Sequence, residues 1–242
     1  MRELWRLVNL SRFTLHACDG DIGSLQQIYF DDRDWKVRYF VVRTGNWLLG
    51  REVLVLPGMV TGVNGEERRV DADLTREQIE NSPPIDTKLP VSRHYEEIYY
   101  RYYGLDPYWG DDPLFGPGHP PPDVGAMPRE PPHPHLRSSE EVIGYAIGAR
   151  DGEIGRVKDF VVEEPDWTVR YLEVATGVSL FGKDVLMACA WLEGVDWSAR
   201  EVTTGLRCEA IESAPAYDAS KLIDRDYQVA LYKHYGMHFD QG

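Results

Sequence analysis

Two arginines stand where a protein could do chemistry. The phrase "RDWKVRYFVVRTG" occupies 33–45, and "PDWTVRYLEVATG" occupies 165–177. Read as a strand, the first puts Trp35, Val37, Tyr39 and Val41 on one face and Arg38, Phe40 and Val42 on the other. The second sets Val169, Tyr171 and Glu173 against Arg170, Leu172 and Val174. Arg38 and Arg170 therefore sit among apolar neighbours, where a guanidinium either lines an anion-binding pocket or pairs with a carboxylate. An unpaired buried charge is costly, so pairing is the stronger expectation, with Asp19 and Asp151 as partners at one end of each unit.

Other reactive residue types are present without a reactive arrangement. The sequence holds no Gly-rich phosphate loop, His-Glu-x-x-His pair or nucleophile elbow. Asp31-Asp32 and Glu163-Glu164 fall in expected hairpin turns, where solvated charge is the default. His234 and His238 have helical spacing, but Gly236 between them ends the helix. Cys18, Cys189 and Cys208 form no Cys-x-x-Cys pair and read as reduced packing thiols. His119, His133 and His135 lie in a proline-rich stretch without cysteine or regular ligand spacing. No catalytic residue, cofactor or metal site is expected.

Charge narrows the partners. The net charge is −14 over 242 residues, and it is uneven: residues 1–104 hold 14 basic and 16 acidic side chains, whereas 139–242 hold 10 and 19. Phosphate contacts come from Lys and Arg, so direct nucleic-acid binding is not expected. No stretch approaches the roughly 20 apolar residues of a membrane helix, and "MRELWRLV" does not read as a secretory signal. A cytoplasmic protein is expected. The segment carrying Arg2, Leu4, Trp5, Arg6, Leu7 and Arg12 could lie on an anionic membrane surface, although capping the first unit is favoured.

The elements that position the arginines occur twice. Asp19 corresponds to Asp151, an offset of 132, and at that offset 16 of the 38 positions in 19–56 are identical without a gap. Such self-similarity marks duplicated units. The boundaries read 1–104 for the first, 105–138 for a Pro/Gly/His-rich linker and 139–242 for the second. In each unit a hairpin joins 22–30 to 36–43, or their counterparts, across an acidic turn. Further strands are expected at 47–49 and 52–56, with 179–181 and 184–187 as counterparts. Thr75 and Gln78 match a helix capping box, closed by Pro83-Pro84. A last helix places Tyr95, Tyr99, Tyr102 and Tyr103 on one stripe before Gly104; its echo places Tyr227, Leu231, His234 and Tyr235 before Gly236. These stripes, with Trp47, are candidate interfaces. They could stack bases, but docking onto a barrel or another copy is favoured by the acidic balance.

The motifs together resemble the PRC-barrel family, named for the cytoplasmic domain of the photosynthetic reaction-centre H subunit. The resemblance rests on Asp-Gly-x-Ile-Gly, Asp-Trp-x-Val-Arg-Tyr-x-x-Val, Thr-Gly-x-x-Leu-x-Gly-x-x-Val-Leu and "LTREQIENSPPID" at 74–86. It covers both copies apart from the linker. The second copy loses the capping Thr and one Pro. The resemblance implies a mainly β fold of two small antiparallel barrels with short flanking helices, about six strands per copy, and no catalysis. The leading expectation is a non-catalytic protein-binding or scaffolding protein, its two barrels packing as a pseudo-dimer or self-associating. Alternatives implied by relatives are a peripheral or assembly factor of a membrane-bound electron-transfer complex and a ribosome-assembly accessory protein. The duplicated copies differ at Val41 against Glu173 and at Trp47 against Ser179.

Overall fold

The structure, a computed structural model, describes residues 2–85, 91–109, 135–177 and 182–239. The strand expected at 179–181 and the histidines His119 and His133 lie outside those residues. The chain opens with strand β1 (Glu3–Arg6) and a helical turn α1 (Leu7–Leu10). There follow β2 (Thr14–Ala17), β3 (Gly20–Asp31), β4 (Val37–Thr44), β5 (Glu52–Val55), β6 (Val60–Asn64) and β7 (Arg69–Ala72), then helices α2 (Arg76–Glu80) and α3 (Arg93–Tyr103). The same order then repeats: β8 (Leu136–Ser138), α4 (Ser139–Val142), β9 (Ala146–Ala149), β10 (Gly152–Glu164), β11 (Thr168–Thr176), β12 (Asp184–Ala188), β13 (Leu192–Asp196), β14 (Glu201–Thr204), α5 (Cys208–Glu212) and α6 (Arg225–His234).

Each copy builds a curled sheet. The first runs β5-β4-β3-β2-β7-β6, and the second runs β12-β11-β10-β9-β14-β13. Both are mainly antiparallel, but β2 pairs with β7 in parallel, as β9 does with β14. The expected closed barrels do not appear as continuous hydrogen-bonded ladders among the described residues. A 3-10 corner, Pro57–Met59 or Cys189–Trp191, follows β5 or β12 and stops the ladder there. Each sheet has a seventh strand that neither copy supplies to itself. β1 pairs antiparallel with β10 of the second sheet, and β8 pairs antiparallel with β3 of the first. The N-terminal segment joins both copies: its backbone pairs with β10 and Arg6 reaches Glu173, whereas the Trp5 ring meets Phe13 at 5.8 Å and Leu10 lies with Phe13, Leu15 and Leu25 of the first copy.

The repeated phrase meets its own echo. The amide of Val37 donates to Trp167 O at 2.8 Å, and the amide of Val169 donates to Trp35 O at 2.8 Å. These bonds exchange under the 132-residue offset, which defines a local two-fold axis. Around it Phe40 meets Trp167 edge-on at 4.8 Å and Phe30 meets Phe160 at 5.3 Å. One buried cluster continues through both sheets, joining Leu10, Phe30 and Val41 to Phe160, Leu172 and Ile211.

Several shared motifs are explained by local geometry. In Asp-Gly-x-Ile-Gly the aspartate caps a helix: Asp19 accepts from the Arg76 amide and Asp151 from the Cys208 amide, both at 2.8 Å. The last glycine lies under the neighbouring strand. A Cβ on Gly23 would stand 2.0 Å from Arg43 O, and one on Gly155 would stand 2.2 Å from Ala175 O. Thr75 and Gln78 form the full capping box of α2, whereas in α5 the N-cap residue, Arg207, makes no cap bond with its own side chain. Two local expectations are corrected. Trp35 does not extend the strand: with φ 58 it closes the turn and stacks on Phe30 at 5.3 Å. Residues 46–48 form a 3-10 turn rather than a strand, with Leu49 left-handed, and this aims Trp47 Nε1 at Ile22 O, 2.7 Å away. Among the described residues no helix is long and apolar enough to cross a membrane.

Candidate binding sites beside the paired arginines

Both arginines are paired, but not with the expected aspartates. Arg38 Nη2 reaches Asp34 Oδ2 at 2.6 Å and Asp31 Oδ2 at 3.4 Å. Arg170 Nε donates to Glu163 Oε2 at 2.7 Å, and its Nη2 lies 3.3 Å from Asp166 Oδ2. The reason is distance along the sheet. Asp19 precedes β3 whereas Arg38 faces the far end of that strand, and 12 residues span roughly 35 Å when straight. The acids of the hairpin turn are the ones within reach. Asp31 is fully buried. Burial pushes its carboxyl up, but the side-chain and backbone hydrogen bonds from Arg33 and the charges of Arg33 and Arg38 together bring it down to about 2.

The first site forms where this turn meets α3. Ser92 caps that helix, accepting from the Tyr95 amide at 3.3 Å, and Gly104 ends it at φ 65. The helix turns Arg93, Glu96 and Tyr100 toward the arginine. Glu96 is fully buried: the hydroxyls of Tyr39 and Tyr108 each donate to its Oε1 at 3.0 Å, and Arg93 Nη1 lies 3.2 Å from Oε2. Burial raises its carboxyl to about 7 against the opposing pull of Arg93 and the two hydroxyls. Tyr108 also lies over the Arg38 guanidinium, 3.8 Å from it. Trp109 stacks under Arg93 at 4.1 Å and meets Tyr100 at 5.3 Å. This aromatic pair, from the start of the stretch expected as linker, fills the site.

The second site repeats the walls. The offset turns Arg38, Tyr39, Arg93, Glu96 and Tyr100 into Arg170, Tyr171, Arg225, Gln228 and Tyr232. Tyr171 donates to Gln228 Oε1 at 3.0 Å, the same bond that Tyr39 makes to Glu96. Here the five residues, with Arg2, Leu4, Glu163, His238 and Phe239, bound a surface cavity of about 570 Å³. Asp224 caps α6 by accepting from the Tyr227 amide at 2.7 Å.

The interface candidates dock inward. Tyr95 and Tyr99 are buried, and Tyr99 donates to Pro83 O at 2.6 Å. Tyr102 keeps an exposed edge yet donates to Gln78 O at 2.7 Å, and Tyr103 packs between Tyr99 and Tyr102. Tyr227 donates to Pro215 O at 3.2 Å, Leu231 is buried with Val161 and Leu186, and Tyr235 rests on Trp191 at 4.7 Å. Trp47 carries the Arg76 guanidinium at 4.3 Å. These residues hold the helices to their own sheets, because helices this short need an apolar face to dock. His234 contacts Ala210 O at 2.8 Å, and among the described residues no group of three His, Cys, Asp or Glu could hold a metal ion. Burial pushes the Cys189 thiol well up, and burial and then Asp151 raise Cys208, so neither is poised as a thiolate.

Glu96, Arg93, Tyr108, Trp109, Arg225 and Gln228 were not among the expected site residues. Applying the offset beyond the strands to positions 93, 96 and 100 is the signal that finds Arg93, Glu96, Arg225 and Gln228; it does not find Tyr108 and Trp109, whose counterparts are Asp240 and Gln241. Fold and site together define a mainly β chain of two like sheets, each with an arginine–tyrosine site against its last helix. No family model matches the chain, and no curated protein matches it significantly.

Proposed function

We propose that this chain is a non-catalytic protein-binding or scaffolding protein made of two PRC-type barrels packed as a pseudo-dimer. The observation that carries the reading is the reciprocal exchange of β1 and β8, each completing the other copy's sheet. The amide bonds between Trp35–Val37 and Trp167–Val169 support it, because they reproduce across one chain the self-complementary contact of a two-fold dimer. The repeated motifs are consumed by capping, close strand approach and turn closure, which is the work of scaffold. Small-angle X-ray scattering tests the packing. A compact 242-residue body has a radius of gyration of about 18 Å. A profile of two independently tethered bodies would reject the pseudo-dimer.

A further inference from the structure

The two arginine–tyrosine sites are one design in two states of occupancy by the chain's own side chains. In the first, Tyr108 and Trp109 are the occupants: a phenol that donates to Glu96 and lies on Arg38, and an indole on Arg93. They belong to the segment Leu-Asp-Pro-Tyr-Trp-Gly-Asp-Asp at 105–112, aromatic at its centre and acidic on both sides. At the positions corresponding to Tyr108 and Trp109 the second copy carries Asp240 and Gln241, and the single aromatic it sets on Tyr232 among the described residues beyond α6 is Phe239.

We propose that the second site binds an acidic segment of a partner protein carrying adjacent aromatic residues, seated as Tyr108 and Trp109 are seated in the first. The walls match this occupant. Tyr232 stands in the place of Tyr100 with Phe239 already edge-on to it at 5.0 Å, so an incoming aromatic would pack beside Phe239, and Gln228 offers a neutral acceptor to a phenol hydroxyl in place of Glu96. The cavity of about 570 Å³ has room for two aromatic side chains. Its charge favours flanking carboxylates: Arg2, Arg170 and Arg225 face one acid, Glu163, which Arg170 and Arg2 already engage. No carboxylate among the described residues pairs with Arg225, which begins α6 where the helix dipole also favours an anion. The inference rests on the reading of the chain as a protein-binding one and gives its partner a chemistry.

The test is titration of the intact chain with a fluorescently labelled peptide of the 105–112 sequence, followed by anisotropy. Saturable binding at one site is expected. It should weaken about tenfold in Arg225→Glu, the order expected when a charge-assisted contact is removed, and vanish for the peptide with both aromatics replaced by alanine. Arg225 is exposed, so the variant keeps its fold, which unchanged near-UV circular dichroism would verify. No binding, or binding indifferent to Arg225→Glu, would overturn the proposal. So would a small phenolic carboxylate such as 4-hydroxyphenylacetate occupying the site while the peptide does not. Compact scattering with no peptide binding would sink this inference alone and leave the pseudo-dimer standing.

Discussion

The two strand crossings occupy equivalent places, and at the last residue of each visiting strand they use opposite chemistry. Where β1 enters the second sheet, Arg6 Nη2 meets Glu173 Oε2 at 2.7 Å and its Nε meets Asp159 Oδ2 at 3.3 Å. Lys158 completes the group 3.0 Å from Glu173 Oε1. Where β8 enters the first sheet, the counterparts of Arg6, Asp159 and Glu173 are Ser138, Gln27 and Val41, and Ser138 simply donates to Gln27. A second exchange accompanies it. Trp5 lies over Gly65, where a Cβ would come within 2.8 Å of the indole, and the counterpart pair is Arg137 over Trp197 at 4.0 Å. One tryptophan serves each crossing, carried by the visiting strand itself in one and by the β13–β14 turn of the visiting strand's own copy in the other. The difference teaches how a duplicated chain keeps its strands in order. Arg6 placed in the first sheet would face Val41 with its charge unmatched, so the charges select the register as well as join the copies.

The largest effect should come from breaking this contrast. Arg6→Ser leaves Glu173, fully buried, with Lys158 alone and strips Asp159 of its cation. Orphaning a buried ion pair costs about 3–5 kcal/mol. The expected loss lies at the lower end, because burial already holds the Asp159 carboxyl at about 6 and lets it protonate. The triple change Arg6→Ser, Asp159→Gln, Glu173→Val transplants the neutral group of Ser138, Gln27 and Val41 and should recover most of that loss in urea denaturation. A triple variant no more stable than the single would show that the charges do not act as a unit.

A comparable but pH-dependent effect separates Glu96 from Gln228. The folded carboxyl of Glu96 titrates at about 7 against an ordinary 4.5, so the folded state binds the extra proton between those values. Stability therefore falls as pH rises from about 4.5 to about 7, by about 3 kcal/mol in all. Asp159, raised from 3.8 to about 6, adds a slope of the same sign at lower pH. Glu96→Gln copies the second site, keeps the Tyr39 hydrogen bond, and should flatten the Glu96 part of the profile. A variant whose melting temperature still falls over pH 5–7 as steeply as the parent's would exclude Glu96 as the source.

Much of this fold was legible because its signals are local. The acidic-turn hairpins, the Thr75–Gln78 box and Gly104 ending α3 each depend on residues within a few positions of one another. The crossings were not legible. β1 has four residues and β8 three, too short for alternation to reveal a face, and Glu3 pairs with Glu164, 161 positions away. Tyr108 and Trp109 carry no local signal, because they precede a proline-dense stretch that reads as linker. That the arginines need carboxylates is legible, but the repeat pattern points to Asp19 whereas the turn supplies Asp34. In a hairpin the residue four back lies beside the guanidinium.

The smallest expected difference sharpens that last point. Arg38 and Arg170 hold equivalent positions, yet the Arg38 side chain is 13% exposed and the Arg170 side chain 37%. Arg38→Met would remove pairs to Asp34 and Asp31 and the Tyr108 stack, although Arg33 still holds Asp31 through two hydrogen bonds. A loss of about 2 kcal/mol follows from a partly buried pair plus a cation–π contact. Arg170→Met breaks pairs nearer solvent, where such bridges contribute under about 1 kcal/mol. Denaturation midpoints of the two variants measure the gap. An unchanged Arg38→Met would deny that the pairing stabilises the turn. Equal losses would mean that the Tyr108 stack, which Arg170 lacks among the described residues, contributes nothing to holding Arg38.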